Sequence, residues 1–283
     1  MPLTYPDQNA LLAIGFKARD SEFRKKVDGA LASGSLQIVI SSWHLIETAH
    51  TSSVEMAVEL AEFIDSLKPA WLLERRDIQK LDVEEDFFRF LRLGNPGKPR
   101  VTTRSAVHAA LLGQKDSPRF DIPSRDFVRP WIEHPEQVKA LEQGYVNSAN
   151  SLVRLRELVK QGKVTEEVRR RVDEIMLGAS LPATTPAGLD VGPQLKAEYI
   201  KQVKVQAIPT LAIETAISEH EWVVQGGADR NTLIDKFHLI SALPYVDEIV
   251  SNDKFFRKIY PEAQKTGFVR AKLLSNEELL QRF

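Results

Sequence analysis

Four acidic residues could share one piece of chemistry: Asp7, Glu47, Asp235 and Asp253. Asp7 follows the apolar Leu3-Thr4-Tyr5, and Asp253 closes the run Ile249-Val250-Ser251-Asn252-Asp253. Glu47 comes soon after Leu36-Gln37-Ile38-Val39-Ile40, and Asp235 opens a helix that leads into Ile249-Val250. An acid just beyond a strand stands at the edge where open α/β sheets bind ligands. At roughly 5 Å and an effective dielectric near 20, each ionised pair at such an edge costs about 3 kcal/mol. A divalent cation between the carboxylates relieves that cost, and Mg2+ or Mn2+ suits hard carboxylate and water oxygens. Such an ion acidifies a bound water and stabilises the oxygens of an in-line displacement, so the chemistry expected is hydrolysis.

Asp7 and Asp253, at strand ends, are expected as direct ligands. Glu47 and Asp235, expected in first helical turns, would ligate or orient a metal-bound water. Asn9 and Ser251 are expected to hydrogen-bond a ligand carboxylate. Plainer roles stand beside these. Asp7 and Asp253 also occupy natural N-cap positions. Asp235 near a helix start would gain about 0.3–1 kcal/mol from the macrodipole. Glu47, on an otherwise apolar helix face, has no such plain role, because an unpaired buried carboxylate is costly.

The elements that must position these acids follow a strand–helix grammar. Leu3-Thr4-Tyr5 reads as a strand that Pro6 must end or bulge, since proline lacks a ladder donor. Ala10 to Lys17 and Ser21 to Ala32 read as helices, and Leu36 to Ile40 as a parallel strand buried on both faces. Ser41-Ser42 caps a helix begun at Trp43, Val54 to Leu67 is amphipathic, and Trp71-Leu72-Leu73 reads as a short third strand. Helices then dominate: Val83 to Leu93, Thr103 to Leu112, about Pro135 to Gln161, and Thr165 to Leu177. Gly94 to Pro99, Ser117 to Pro130 and Leu181 to Pro193 read as breaks or loops. The α/β pattern returns with a helix over Asn231–Ala242, a strand over Glu248–Val250, a helix over Lys254–Tyr260, a strand at Phe268-Val269-Arg270 and a closing helix from Asn276. The expected fold class is α/β, with a central mostly parallel sheet between helical layers. Residues 1–75 and 228–283 would form this discontinuous domain, and 76–227 a mostly helical insertion.

In this order the acids resemble the motifs of PIN-domain nucleases. Tyr5-Pro6-Asp7-Gln8-Asn9 is similar to the first motif, with Gln8 in place of the usual hydroxyl residue. Ile40-Ser41-Ser42-Trp43-His44-Leu45-Ile46-Glu47 resembles the second, and Asp235-Lys236-Phe237-His238-Leu239-Ile240 the third. Ile249-Val250-Ser251-Asn252-Asp253, followed by Phe255, resembles the fourth. The resemblance covers the two terminal parts and not the insertion. It implies a three-layer α/β/α PIN-like fold and a Mg2+/Mn2+-dependent ribonuclease acting on single-stranded RNA. A structure-specific DNA nuclease of the same chemistry, and a catalytically silent scaffold binding a protein partner, remain alternatives. Small toxin-type members dimerise and are restrained by an inhibitor, so a homodimer and an inhibitor protein are the partners implied beside RNA.

Composition narrows the rest. The 283 residues are 43% hydrophobic and 27% charged, the pattern of a soluble globular chain. A net charge of -1 gives no global basic field for nucleic acid, so any RNA surface must be local. Without cysteine there are no disulfides, thiolate metal sites or cysteine nucleophiles. No leader-like start and no apolar run of about 18 residues is present, which leads to the expectation of a cytoplasmic protein and no membrane.

Lys196, Lys201 and Lys204 near Tyr199, and Lys98, Arg100 and Arg104, are candidate phosphate contacts. Arg169-Arg170-Arg171 reads better as a solvated helix surface, and Gly226-Gly227-Ala228-Asp229 as a turn. The tryptophans read as core. His44 reads as structural, and the remaining histidines show no ligand spacing.

Overall fold

A computed structural model describes residues 1–16, 22–50, 53–94, 97–140, 142–144, 146–147, 158, 161–163, 165, 167, 177–224 and 230–282. Six strands form one sheet: β1 (Leu3–Pro6), β2 (Gln37–Ile40), β3 (Ala70–Leu72), β4 (Val101–Thr102), β5 (Glu248–Val250) and β6 (Lys272–Leu274). Their order is β4-β3-β2-β1-β5-β6. Every pairing is parallel except β3 with β4. β1 therefore lies between β2 and β5, which joins the two ends of the chain side by side.

The helices used below are α1 (Gln8–Leu11), α2 (Glu22–Ala32), α3 (Ser42–Ala49), α4 (Val54–Ser66), α5 (Arg75–Phe90), α6 (Arg104–Leu111), α7 (Ser124–Glu133), α8 (Pro193–Gln202), α9 (Pro209–Val224), α10 (Arg230–Ala242), α11 (Lys254–Gln264) and α12 (Asn276–Leu280). Successive strand side chains point to opposite faces, and both faces here are apolar. Ile38, Ile40, Trp71 and Val250 pack against Leu11 of α1, Leu45 of α3, Leu60 of α4 and Val128 of α7. Tyr5, Val39, Leu72 and Ile249 pack on the other side against Ile213 of α9, Leu239 of α10 and Phe256 of α11. The fold is thus α/β, a mostly parallel sheet with helices on both faces.

Residues 76–227 supply more than helices, since β4 lies within them and extends the sheet beside β3. Phe87, Phe88, Tyr199 and Ile208 form a further core within this stretch. A buried carboxylate ties its segments together and to Tyr245, just before β5. Asp82 of α5 accepts from Arg100 Nη2 at 2.8 Å, Tyr245 Oη at 2.5 Å and Thr210 Oγ1 at 2.7 Å.

Several expected boundaries shift. The first helix turns π-helical over Leu12–Phe16, and the one expected from Val83 begins at Arg75. The loop expected over Ser117 to Pro130 contains α7, which runs through Pro130. Asp65 fixes its start, accepting from the Ser124 amide at 2.8 Å and its hydroxyl at 2.6 Å. The last strand is Lys272–Leu274, not Phe268-Val269-Arg270. The amides of Arg270 and Ala271 both donate to Leu243 O, which uses that backbone before any sheet pairing. The Arg169-Arg170-Arg171 and Gly226-Gly227 readings lie outside the described residues. No helix among the described residues is long and apolar enough to cross a membrane.

Candidate functional site at the sheet edge

β1, β2 and β5 run parallel, so their C-terminal ends share one edge. Pro6 pairs with Val250 as the last residue of β1, and the Asp7 amide donates to Val250 O at 2.9 Å. Proline ends the strand without cost here, and the ladder is completed by the next residue. Asp7 is 4% exposed. Its Oδ1 accepts the Ala10 amide at 2.6 Å, capping α1. Its Oδ2 accepts the Ser251 hydroxyl. That hydroxyl oxygen in turn accepts the Asp253 amide at 3.0 Å. Asp253 caps α11 through the Phe255 amide at 2.6 Å. One serine therefore links the two outer acids of the sequence.

Ser251 occupies the supporting place expected of it. Asn9 does not: it is exposed, and the Asp7 oxygens are taken by Ala10 and Ser251. Gln8 reaches α3, donating from Nε2 to Thr48 Oγ1 at 3.2 Å. Glu47 lies in the second turn of α3 and Asp235 in the second turn of α10, each deeper than the first turn expected. The α10 helix begins at Arg230, so Asp235 is not its cap.

The acids meet electrostatically. Burial drives the Asp235 carboxyl up to about 7, and the charges of Glu47, Asp253 and Asp7 push the same way while His238 opposes them. Burial also lifts Asp7, against its hydrogen bonds from Ser251 and Ala10. Among the described residues no lysine or arginine forms an ion pair with any of the four. Asp235 thus feels the charge of the other three acids. Among the described residues, no three His, Cys, Asp or Glu side chains stand ready-arranged around a metal position. Two of the acids act as caps, and the third is turned toward a histidine.

That histidine is His238, which sequence spacing did not single out. Its Nε2 meets Glu47 Oε2 at 2.9 Å, and its Nδ1 meets Tyr5 Oη at 2.5 Å. Tyr5 Oη continues to Ser41 Oγ at 2.8 Å. Burial works against charge on His238, yet Glu47 beside it, with Asp235 and Asp7 beyond, lifts its pKa above the usual value. Burial holds the Tyr5 phenol well above its usual value, so it stays protonated. His44 packs edge-on against both rings at 4.9 Å. Its Nδ1 accepts the Ser41 amide at 3.0 Å, so Nε2–H donates to Pro6 O at 2.8 Å. Burial, then the charge of His238, lowers its pKa to about 3 and keeps the ring neutral. The structural role expected of His44 holds.

Glu74, just past β3, is another acid the sequence reading missed. Burial pushes its carboxyl up to about 7, with Asp77 adding and Arg75 and His238 opposing. Its Oε1 is buried without a hydrogen-bond partner. The signals were present in the chain: Glu74 follows an apolar run as Asp7 does, and His238 lies one turn after Asp235 on one helix face.

The cations of one candidate phosphate surface already have acidic partners. Arg100 is buried against Asp82 and Glu85, and Arg104 pairs with Asp65 and Asp121 at 2.8 and 2.7 Å. Lys98 stands 3.5 Å from Glu84. Tyr199 is 1% exposed with its hydroxyl on Asp86, so it offers no platform beside Lys196 and Lys201. Trp43 and Trp71 are core, as expected.

Compared with known proteins, the chain matches no family model, no curated protein and no solved structure.

Proposed function

We propose that the edge formed by Asp7, Glu47, Asp235 and Asp253 is a Mg2+/Mn2+ site, and that the chain is a metal-dependent phosphodiesterase cleaving single-stranded RNA. One observation carries this reading. Acids from both ends of the chain meet at this edge, where burial and then the charges of three of them raise the fourth against His238, and no lysine or arginine of the described residues forms an ion pair with any of them. A fold that keeps such repulsion gains from a cation, and buried charges are otherwise paired. The donors fit the ion: carboxylate oxygens are what Mg2+ and Mn2+ take. When bound, the ion would supply an acidified water and charge neutralisation at the scissile phosphate. The chain's own contribution is positioning. Ser251 orients Asp7 and the loop carrying Asp253.

The resemblance of the four motifs to PIN-domain nucleases supports RNA as the substrate and a PIN-like form of this α/β fold. A second reading, a catalytically silent scaffold, draws on a different observation. Asp7 and Asp253 already cap helices, and Glu47 is already paired. The two separate cleanly in one experiment. Asp7→Asn and Asp253→Asn are each incubated with labelled single-stranded RNA, single-stranded DNA and duplexes, with Mn2+ or with chelator. The proposal requires Mn2+-dependent RNA cleavage by the parent chain and its loss in both folded variants. Cleavage of DNA alone would move the substrate, and no cleavage of any probe would favour the scaffold.

A further inference from the structure

The interior beside the acid cluster holds a chain of polar side chains where apolar ones would pack more simply. Ser41, at the end of β2, meets Tyr5 of β1. Tyr5 meets His238 of α10, and His238 meets Glu47 of α3. Ser41, Tyr5 and His238 are all at most 1% exposed. We propose that His238 is a positioning residue for Glu47, held by Tyr5 and Ser41 so that one carboxylate oxygen stays directed at the sheet edge. This inference rests on the metal reading above and adds to it a residue outside the four acids.

The geometry supports a device with a direction. Tyr5 lies within β1 and Ser41 directly follows β2, so Nδ1 of His238 is anchored from the sheet. The neutral His44 ring, edge-on at 4.9 Å, limits how His238 can turn. Both nitrogens of His44 are committed to Ser41 and Pro6, so it does not compete for Glu47. His238 Nε2 therefore meets Glu47 on one oxygen, Oε2, while Oε1 has no hydrogen-bond donor among the described residues. Glu47 is 22% exposed, the partly open end of the chain. Asp235 lies three residues before His238, so one helix carries both an acid of the cluster and the group that aims another. Imidazole–carboxylate support of this kind commonly changes metal affinity by about 10–100-fold when removed.

The test uses the full chain and Mn2+ itself, titrated by electron paramagnetic resonance of free Mn2+, with circular dichroism to follow folding. His238→Ala is expected to weaken Mn2+ binding by about 10–100-fold. His238→Gln, whose amide nitrogen can still donate to Glu47, is expected to recover most of that loss. Tyr5→Phe, which removes only the support at Nδ1, is expected to fall between the two and serves in place of His238→Ala if that variant does not fold. A filler of the core would move thermal stability and leave the Mn2+ affinity of the folded chain unchanged. Parent-like affinity in folded His238→Ala, or in Tyr5→Phe where His238→Ala does not fold, overturns the inference, as does no recovery in His238→Gln. If those results come while Asp7→Asn abolishes binding, only the role of His238 falls. If the parent chain binds no Mn2+, the metal reading falls and takes this inference with it.

Discussion

The Ser251 hydroxyl donates to Asp7 Oδ2 although 244 positions separate the two residues. The same oxygen accepts the Asp253 amide at 3.0 Å. One buried hydroxyl, fully shielded from solvent, thus adds to the β1–β5 pairing that joins the two ends. Ser251→Ala leaves a buried carboxylate oxygen short of a donor, which costs about 1–3 kcal/mol. Urea denaturation at neutral pH should show that loss as a lower midpoint with an unchanged slope. An unaltered midpoint would mean that the hydroxyl contributes nothing to joining the termini.

Metal linkage gives a second expectation. A ligand that binds only the folded chain stabilises it by about 2.7 kcal/mol at one hundred times its dissociation constant. Mn2+ should therefore raise the melting temperature of the parent chain. Asp235→Asn should melt higher than the parent in chelator above pH 7, because it removes a carboxyl whose charge burial, then three neighbouring acids, disfavour, and should gain little from Mn2+. A melting curve blind to Mn2+ in the parent would argue against the site.

Glu74 sets a pH dependence. Its carboxyl lies at about 7 in the fold against an ordinary 4.5, chiefly from burial. The folded chain then binds more protons than the unfolded chain between those values. Stability is full below about 4.5, declines as pH rises to about 7, and is level above. The span corresponds to about 3 kcal/mol for this one group. Glu74→Gln should flatten the decline over that window and stabilise the chain at pH 8. A variant with the parent's slope would show that Glu74 ionises without penalty.

Asp82 should matter most to the joining of the middle of the chain. It accepts from Arg100, Tyr245 and Thr210 in a buried setting. Asp82→Ala leaves the Arg100 guanidinium, 7% exposed, with Glu85 as its remaining acid and takes the acceptor from the Tyr245 and Thr210 hydroxyls, at about 1–3 kcal/mol for each buried group left unpaired. Calorimetry should register this as a large fall in melting temperature. A fall no greater than that of an exposed pair such as Arg125–Glu62 would refute the clamp.

The strands nearest the acids were legible because they are short, apolar and β-branched. Ile38, Val39 and Ile40 form β2, and Glu248–Val250 is β5 within the bounds expected. β4 was not legible, since Val101-Thr102 is two residues long and is a strand only because β3 lies beside it. α7 was hidden by Pro123 and Pro130, and its anchor, Asp65, lies far away in sequence. The late start of β6 follows from Leu243 O capturing two amides, a contact between segments.

Asp7 and Asp253 stand out in the chain alone because each follows an apolar run that enters a buried sheet, whereas Glu47 and Asp235 lie a turn inside helices. What their carboxylates touch was decided only by tertiary structure. His238, Tyr5 and Glu74 join the edge through parallel strand ends and a helix laid across them, and no local pattern fixes such a crossing. The basic residues that looked available, Arg100 and Arg104, are held by acids brought from elsewhere in the chain. Periodicity reports which face of an element is buried. The partner of a buried charge depends on which elements meet, and that is settled by packing.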